Sequence, residues 1–292
     1  MATTARRGAA QRVSGAYRVE QTRDRELLRE FLERDRLGAA YAICDLEERE
    51  FAKTRWGLAR AAGEPVAVVL EYRGLSPQPL FVMGEPAGIA AVLADVITPR
   101  LVYLAADASH LPAIEQLYRV DPGPPMLRMW VNRETFRPAS GVALRLSPVE
   151  IADLNRLYGL GFTSWLAAEA VAHGVYYGVR VGGRLIAAAG THVISPTARL
   201  GVAGNVMTHP DHRSRGYAKL TTSAVTQELL RTCEDVVLNV RSDNPPAIAA
   251  YQALGYREYG RFEERLSRRR GAPWDSILRQ LRQLLSRREE TE

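Results

Sequence analysis

The chain has 292 residues, 46% hydrophobic and 25% charged, with a formal charge of +6 that is nearly all arginine, since Lys53 and Lys219 are its only lysines. This composition is ordinary for a soluble globular protein, and the length is long for one small domain and comfortable for two of about 130–150 residues; no apolar run reaches the ~18–20 residues of a membrane span. The five histidines form no HExxH pair and the two cysteines, Cys44 and Cys233, match no zinc or redox spacing, so no metal is expected and the thiols suit a reducing cytoplasm.

Taken in chain order, residues 1–15 are expected to be disordered. MATTARRGAAQR lacks the apolar core of a secretory leader, and a transit peptide is the lesser alternative. Over residues 23–40, Leu27, Leu28, Phe31 and Leu32 recur at helical spacing. PVAVVLEY (65–72) and PLFVM (79–83) read as strands around the turn-like RGLSPQ. Residues 88–97 read as a helix, 100–104 as a strand and 109–118 as a second helix. DPGPP at 121–125 then breaks the chain before a strand at 126–131.

A second set of elements starts after Arg137 and Pro138. Residues 142–146 read as a strand, 148–158 as a helix, and 176–181 with 185–193 as a hairpin around Gly182 and Gly183. Next come a strand at 200–207, a helix at 217–230, a strand at 236–240, a short helix at 245–254 and a last strand from Tyr256. In the tail, Ile277, Leu278, Leu281, Leu284 and Leu285 share one helical face, which suits packing on the chain's own domain or on a twin chain better than on a membrane. SHLPAI (109–114) echoes DNPPAI (243–248). Each follows a strand and opens a short helix, as two tandem folds would, or as chance similarity of short helices would.

Two stretches point to chemistry. THPDHRSRGYAKL (208–220) sets Arg213, Gly216 and Ala218 as R-x-x-G-x-A between a strand and a helix. Small residues there let backbone N–H groups and the positive helix end approach an anion, although an ordinary strand–helix turn has the same look. It is not a Walker loop, because no Lys-Ser/Thr pair follows the glycine. Further on, Asn244, Ala247, Tyr251, Leu254, Gly255 and Tyr256 form N-x-x-A-x-x-x-Y-x-x-L-G-Y. Taken apart, Asn244 is a helix cap and Tyr251 a core aromatic.

In this order and spacing, the two motifs resemble the GNAT acyltransferase superfamily over about residues 142–266. The resemblance implies an α/β chain with mixed α+β sheets, two tandem GNAT-like folds each built on a mostly antiparallel mixed sheet flanked by helices. The halves would be a degenerate copy at 16–138 and a catalytic one at 139–268, followed by an amphipathic helix at 269–292. Two-copy chains are similar to the glycine N-acyltransferase-like branch. In the first half Leu117 falls where the second has Tyr251, and residues 83–88 lack R-x-x-G-x-A.

The resemblance further implies acetyl-CoA as co-substrate. Its pyrophosphate would lie on the backbone of Arg213, Ser214, Arg215, Gly216, Tyr217 and Ala218, and its arm along Val206, Met207 and Thr208. Asn244 and Tyr251 would also contact it. The N–H of Val206 would serve as oxyanion donor, and Tyr251 would protonate the departing thiolate. The acceptor would be a primary amine of a small molecule or peptide. An alkylamine of pKa ~10.4 is about one part in a thousand neutral at pH 7, which calls for a base. The strand at 200–207 carries no carboxylate. His192 is the nearest titratable candidate, with Glu263 or Glu264 acting through water as alternatives, while His209 and His212 would shape the cofactor loop. Phe162 and Trp165 fit either an aromatic acceptor pocket or the core. A homodimer is left open. The competing readings are a non-catalytic acyl-CoA-binding module and, from the basic charge alone, a nucleic-acid binder. No nucleic-acid module or interleaved aromatic run supports the latter.

Overall fold

The computed structural model of the chain describes residues 12–14, 16–161 and 165–271. Its elements are β1 (Arg12–Ser14), β2 (Tyr17–Thr22), α1 (Arg25–Leu32), α2 (Ala40–Cys44), α3 (Glu48–Phe51), β3 (Thr54–Ala61), β4 (Glu64–Tyr72), β5 (Gln78–Gly84), α4 (Pro86–Asp95), β6 (Leu101–Ala106), α5 (Leu111–Ile114), β7 (Tyr118–Val120) and β8 (Met126–Asn132). There follow β9 (Leu144–Arg145), α6 (Ile151–Tyr158), α7 (Ala168–His173), β10 (Tyr177–Val181), β11 (Arg184–Ser195), β12 (Leu200–Thr208), α8 (Tyr217–Leu229), β13 (Asp235–Arg241), α9 (Pro245–Ala253) and β14 (Arg257–Arg269). The tail helix expected from residue 275 onward lies outside the described residues, as do Phe162 and residues 1–11.

The two expected sheets are one. The 14 strands form a single mixed sheet in the order β1-β2-β3-β4-β5-β6-β14-β8-β13-β12-β11-β10-β9, with β7 on β14. Two exchanged strands join the halves. β8, from the first half, lies between β13 and β14 in the second. β14 pairs with β8 through Phe262, then from Glu263 pairs with β6 of the first half. A register shift between Glu258 and Gly260 marks the bulge that bends β14 from one half to the other. The sequence division near residue 138 therefore divides the chain but not the sheet.

Burial follows the exchange. Leu127, Met129 and Val131 of β8 pack with Val225, Leu229, Leu238 and Tyr256 under α8 and α9. On the opposite face, Ala40, Ile43 and Cys44 of α2 pack with Leu58 and Leu70 and also with Leu200, Val202 and Val237. Arg36 ties the same seam, donating to the Ala198 carbonyl at 2.6 Å and pairing with Asp235 at 3.4 Å. Both cysteines are free and buried, Cys44 in this cluster and Cys233 in the one under α8.

Several expected elements need correction. The helix expected over 23–40 stops at Leu32, and the chain turns before α2. The helix expected at 109–118 is one turn long, because the fully buried Tyr118 already belongs to a strand that pairs with β14. β3 had no signal: TRWGLARA does not alternate in polarity, since its middle is buried on both faces.

Y-x-x-L-G-Y closes α9 in a Schellman arrangement, with the N–H of Tyr256 on the Tyr251 carbonyl and that of Gly255 on Gln252. Gly255 has φ +89, and a Cβ there would lie 1.9 Å from the Thr135 carbonyl. Gly255→Ala is expected to cost about 2–4 kcal/mol through backbone displacement and left-handed strain, read as a fall in the urea midpoint. A change below 0.5 kcal/mol would contradict this packing.

Candidate functional site

The site is set by a pair of strands that part. β12 and β13 run parallel and pair only from Leu200–Asp235 to Val202–Val237. Beyond Val202, β12 leans on β11 alone. Asn205 has φ +49, and the register on β11 shifts around it. Asn205 is held by donation to the Tyr176 hydroxyl at 3.0 Å and the Thr191 carbonyl at 3.2 Å, while Tyr158 donates to its carbonyl at 2.8 Å. Nothing in the sequence singled out those two tyrosines, which look like ordinary core aromatics until the bulge is seen.

His209 donates its N–H to Ile186 on β11. Strand alternation then turns the N–H groups of Val206 and Thr208 toward the gap between β12 and β13. The Val206 side chain packs toward α8, and Met207 packs toward α6. Thr208 Oγ1 is buried with no partner. At the end of β12, a turn at Pro210–His212 leads into Ser214 with φ +60 and Gly216 with φ +79, which opens α8 without a side-chain cap. Arg213, Ser214, Arg215 and Gly216 are exposed, and Tyr217 and Ala218 are half-buried. Among the described residues none accepts from the N–H groups of Ser214 to Lys219. His209 and His212 meet edge to face at 5.7 Å beside this loop, and His212 Nδ1 is buried without a partner. Open N–H groups at a left-handed turn, the mouth of a 13-residue helix and two orphaned polar atoms form a cradle for an anion.

Asn244 caps α9, accepting from the Ala247 N–H at 3.4 Å, and is exposed. Tyr251, two turns on, is 6% exposed, and burial alone raises its pKa to about 12. No described residue bonds its hydroxyl. Tyr251 and the gap thus lie on the α8–α9 side of the sheet.

His192 lies on the other face. Its Nε2 sits over Gly204, where a Cβ would approach it to 2.1 Å, and its ring is 5.7 Å from Tyr41 of α2. The crowded surroundings push its pKa down to about 4, an effect that its exposed face moderates. Glu263 and Glu264 are carried elsewhere by the strand exchange. They pair with β6, three strands and roughly 14 Å from β12, and Glu263 is engaged by Arg265. Trp165 is 83% exposed, which removes the core reading for it.

Residues 176–266 match the family described as FR47-like protein, a span that holds His192, Asn205, the loop from Val206 to Ala218, Asn244 and Tyr251. No curated protein matches the chain significantly. Among solved structures, a Drosophila protein superposes with a TM-score of 0.65 at 13% identity, over 90% of this chain and 99% of its own. A tandem GNAT protein from the clavulanic acid biosynthesis pathway covers 87% of this chain and 99% of its own, with a TM-score of 0.53 at 15% identity. The fold is GNAT-like. A GCN5-related N-acetyltransferase from Sphaerobacter thermophilus adds a TM-score of 0.55 at 16% identity, over 89% and 96% of the two chains. Within this GNAT-like frame the gap, the loop and Tyr251 belong to the second half of the chain. In the first half β5 and β6 also pair in parallel, from Gln78–Val102 to Phe81–Ala105, and then part. No metal-binding cluster occurs among the described residues, and no described helix is long and apolar enough to cross a membrane.

Proposed function

We propose that the chain is an acetyl-CoA-dependent N-acetyltransferase whose second half, 139–268, carries the active site and whose first half, 16–138, is a degenerate copy. The observation that carries this reading is the set of unbonded backbone N–H groups from Ser214 to Lys219 at the mouth of α8, next to the gap beside β12, with Thr208 Oγ1 and His212 Nδ1 orphaned beside it. The first copy offers no counterpart. β5 enters α4 through Glu85 alone, a carboxylate at the helix mouth where a phosphate would sit, and His110 Nε2 bridges to the Gly84 carbonyl at 2.9 Å across the parting strands. The two-copy order is the one feature that supports the glycine N-acyltransferase-like branch.

Acetyl-CoA supplies an activated thioester. The Val206 N–H points into the gap as a donor for its carbonyl oxygen. The acceptor, a primary amine of a small molecule or peptide, approaches from the face that bears His192 and Tyr41. A C–N bond forms, the C–S bond breaks, and the electron pair stays on sulfur. Tyr251, neutral at pH 7 with its pKa near 12, gives its proton to that sulfur, and the proton shed by the acylated nitrogen passes to solvent water, from which the phenol is restored. His192, its pKa lowered by its crowded surroundings, is too weak a base to strip an ammonium of pKa ~10.4. Its neutral ring orients an amine already deprotonated, which costs about 4–5 kcal/mol at pH 7. That weak base is also the observation favouring the second reading, a non-catalytic acyl-CoA binder. A cytoplasmic location and a homodimer complete the proposal.

Thiol release from acetyl-CoA, followed across a panel of primary amines, tests the reading. Amine-dependent release is expected, and tight binding without release by any amine would favour the binder. Arg213→Ala and Arg215→Ala keep the backbone donors, so each is expected to weaken acetyl-CoA by only about two- to fivefold, an effect that shrinks in high salt. Loss of all binding in either variant would shift the weight from backbone to side chains.

A further inference from the structure

Arg128 of β8 is 6% exposed and carries its charge into the seam between the copies. Its Nε donates to Asn239 Oδ1 at 2.9 Å, and its Nη1 donates to the carbonyls of Leu37 and Gly38 at 2.9 and 2.8 Å. The rings of Tyr41 and Phe262 lie 5.3 and 4.9 Å from the guanidinium carbon. These contacts fix the fork rigidly and leave Nη2 with no acceptor among the described residues. Nη2 keeps access to solvent, so its two donors are open to an anion.

Arg128 lines a cavity of about 250 Å³ where β5 and β6 part, in the first copy. Asp35 and Asp107 line the same cavity. Asp35 accepts from the Gly38 N–H and the Tyr259 hydroxyl through Oδ1, which leaves Oδ2 unbonded. His110, 9% exposed, also lines it. Because a carbonyl only accepts, the contact of His110 Nε2 with Gly84 requires the proton on Nε2. Nδ1 is then a lone pair, and it is buried without a partner. Phe81 and Phe262 supply apolar wall. The cavity is smaller than the ~300–1,000 Å³ typical of drug-sized ligands.

An anion-directed fork, two carboxylates, an acceptor nitrogen and aromatic walls around one small space suit a ligand carrying both charges. We propose that the first copy holds a binding site for a small zwitterion, an α-amino acid with an apolar side chain. Its carboxylate meets Arg128 Nη2, its ammonium meets Asp35 and Asp107, and its side chain lies against Phe81 and Phe262. The site is separate from the acyl-CoA cradle, and the proposal does not depend on the acetyltransferase reading.

Calorimetric titration of the full chain with L-leucine tests it, with 4-methylpentanoate (carboxylate alone) and 3-methylbutylamine (amine alone) as controls. L-leucine is expected to bind at least tenfold more tightly than either control. Asp107→Asn keeps the Ser109 turn, and is expected to weaken L-leucine at least fivefold with an unchanged melting temperature. Arg128→Lys is expected to abolish binding. Because that change also loosens Leu37 and Gly38, the Asp107 variant decides the matter if Arg128→Lys unfolds. Gly216→Trp, which alters only the second copy's loop, is expected to leave L-leucine binding intact. No binding at millimolar L-leucine, equal binding of either control, an unaffected Asp107→Asn, or loss of binding in Gly216→Trp would each overturn the proposal.

Discussion

Tyr251→Phe is expected to lower kcat for acetyl transfer by about 10²- to 10⁴-fold, the usual scale of general acid–base catalysis, while the acetyl-CoA Kd stays within about threefold. The asymmetry follows from the environment. The ring is packed in the α8–α9 core beside Tyr256, 6.1 Å away, and phenylalanine keeps that packing. No described residue bonds the hydroxyl, so its removal orphans nothing in the protein. Burial holds the phenol near pKa 12, which keeps it a donor throughout the working range. Acetyl transfer by the unaltered chain should therefore show no loss from Tyr251 ionisation below about pH 11. An unchanged kcat in Tyr251→Phe would remove this residue from the chemistry. A large rise in Kd would make it a binding residue instead.

The second large effect concerns the exchanged strands. Residues 139–271 expressed alone are expected to fail to fold, and residues 12–138 likewise. The second half would lose Leu127, Met129 and Val131, which are 4%, 0% and 0% exposed. Removing even one such side chain from a core typically costs 2–5 kcal/mol, so losing three approaches the whole ~5–15 kcal/mol stability of a domain. It would also bare the edges of β13 and β14 to aggregation. The first half would lose the part of β14 that pairs with β6 and β7. A chain nicked at the exposed Ser140–Gly141 link keeps every strand, so it should remain one folded particle by size exclusion with a cooperative melt. A soluble, cooperatively melting second half on its own would contradict the exchange.

The motifs were legible in the sequence because each is local. R-x-x-G-x-A needs a left-handed residue at a helix mouth, and Gly216 supplies it. Y-x-x-L-G-Y is a helix stop, and Gly255 makes it. The hairpin at Gly182 and Gly183 and the helix from Tyr217 appear where periodicity and turn residues placed them. The strand exchange was not legible. MLRMWVN at 126–132 reads as a buried strand whichever sheet receives it, and the choice depends on a bulge near Gly260 more than a hundred residues away. The same non-local event decided the base. Glu263 and Glu264 looked close to the site by order along the chain, yet β14 delivers them to β6. His192 was named for its position at the end of AAAGTHV, but its weak basicity comes from Tyr41 and α2, which arrive from the first half. Arg128 gave no signal, because its worth as a cation depends on carbonyls at Leu37 and Gly38 that only the folded seam brings to it.

The most direct test of the central claim is calorimetric titration of acetyl-CoA into the unaltered chain and into Gly216→Trp. The backbone at Gly216 has φ +79 with open space above it, so the indole would strain the turn and stand where a phosphate must approach. Micromolar binding by the unaltered chain, reduced at least a hundredfold in a variant that keeps its melting temperature, is the predicted result. Failure of the unaltered chain to bind acetyl-CoA, or equal binding by a folded Gly216→Trp, would contradict the account.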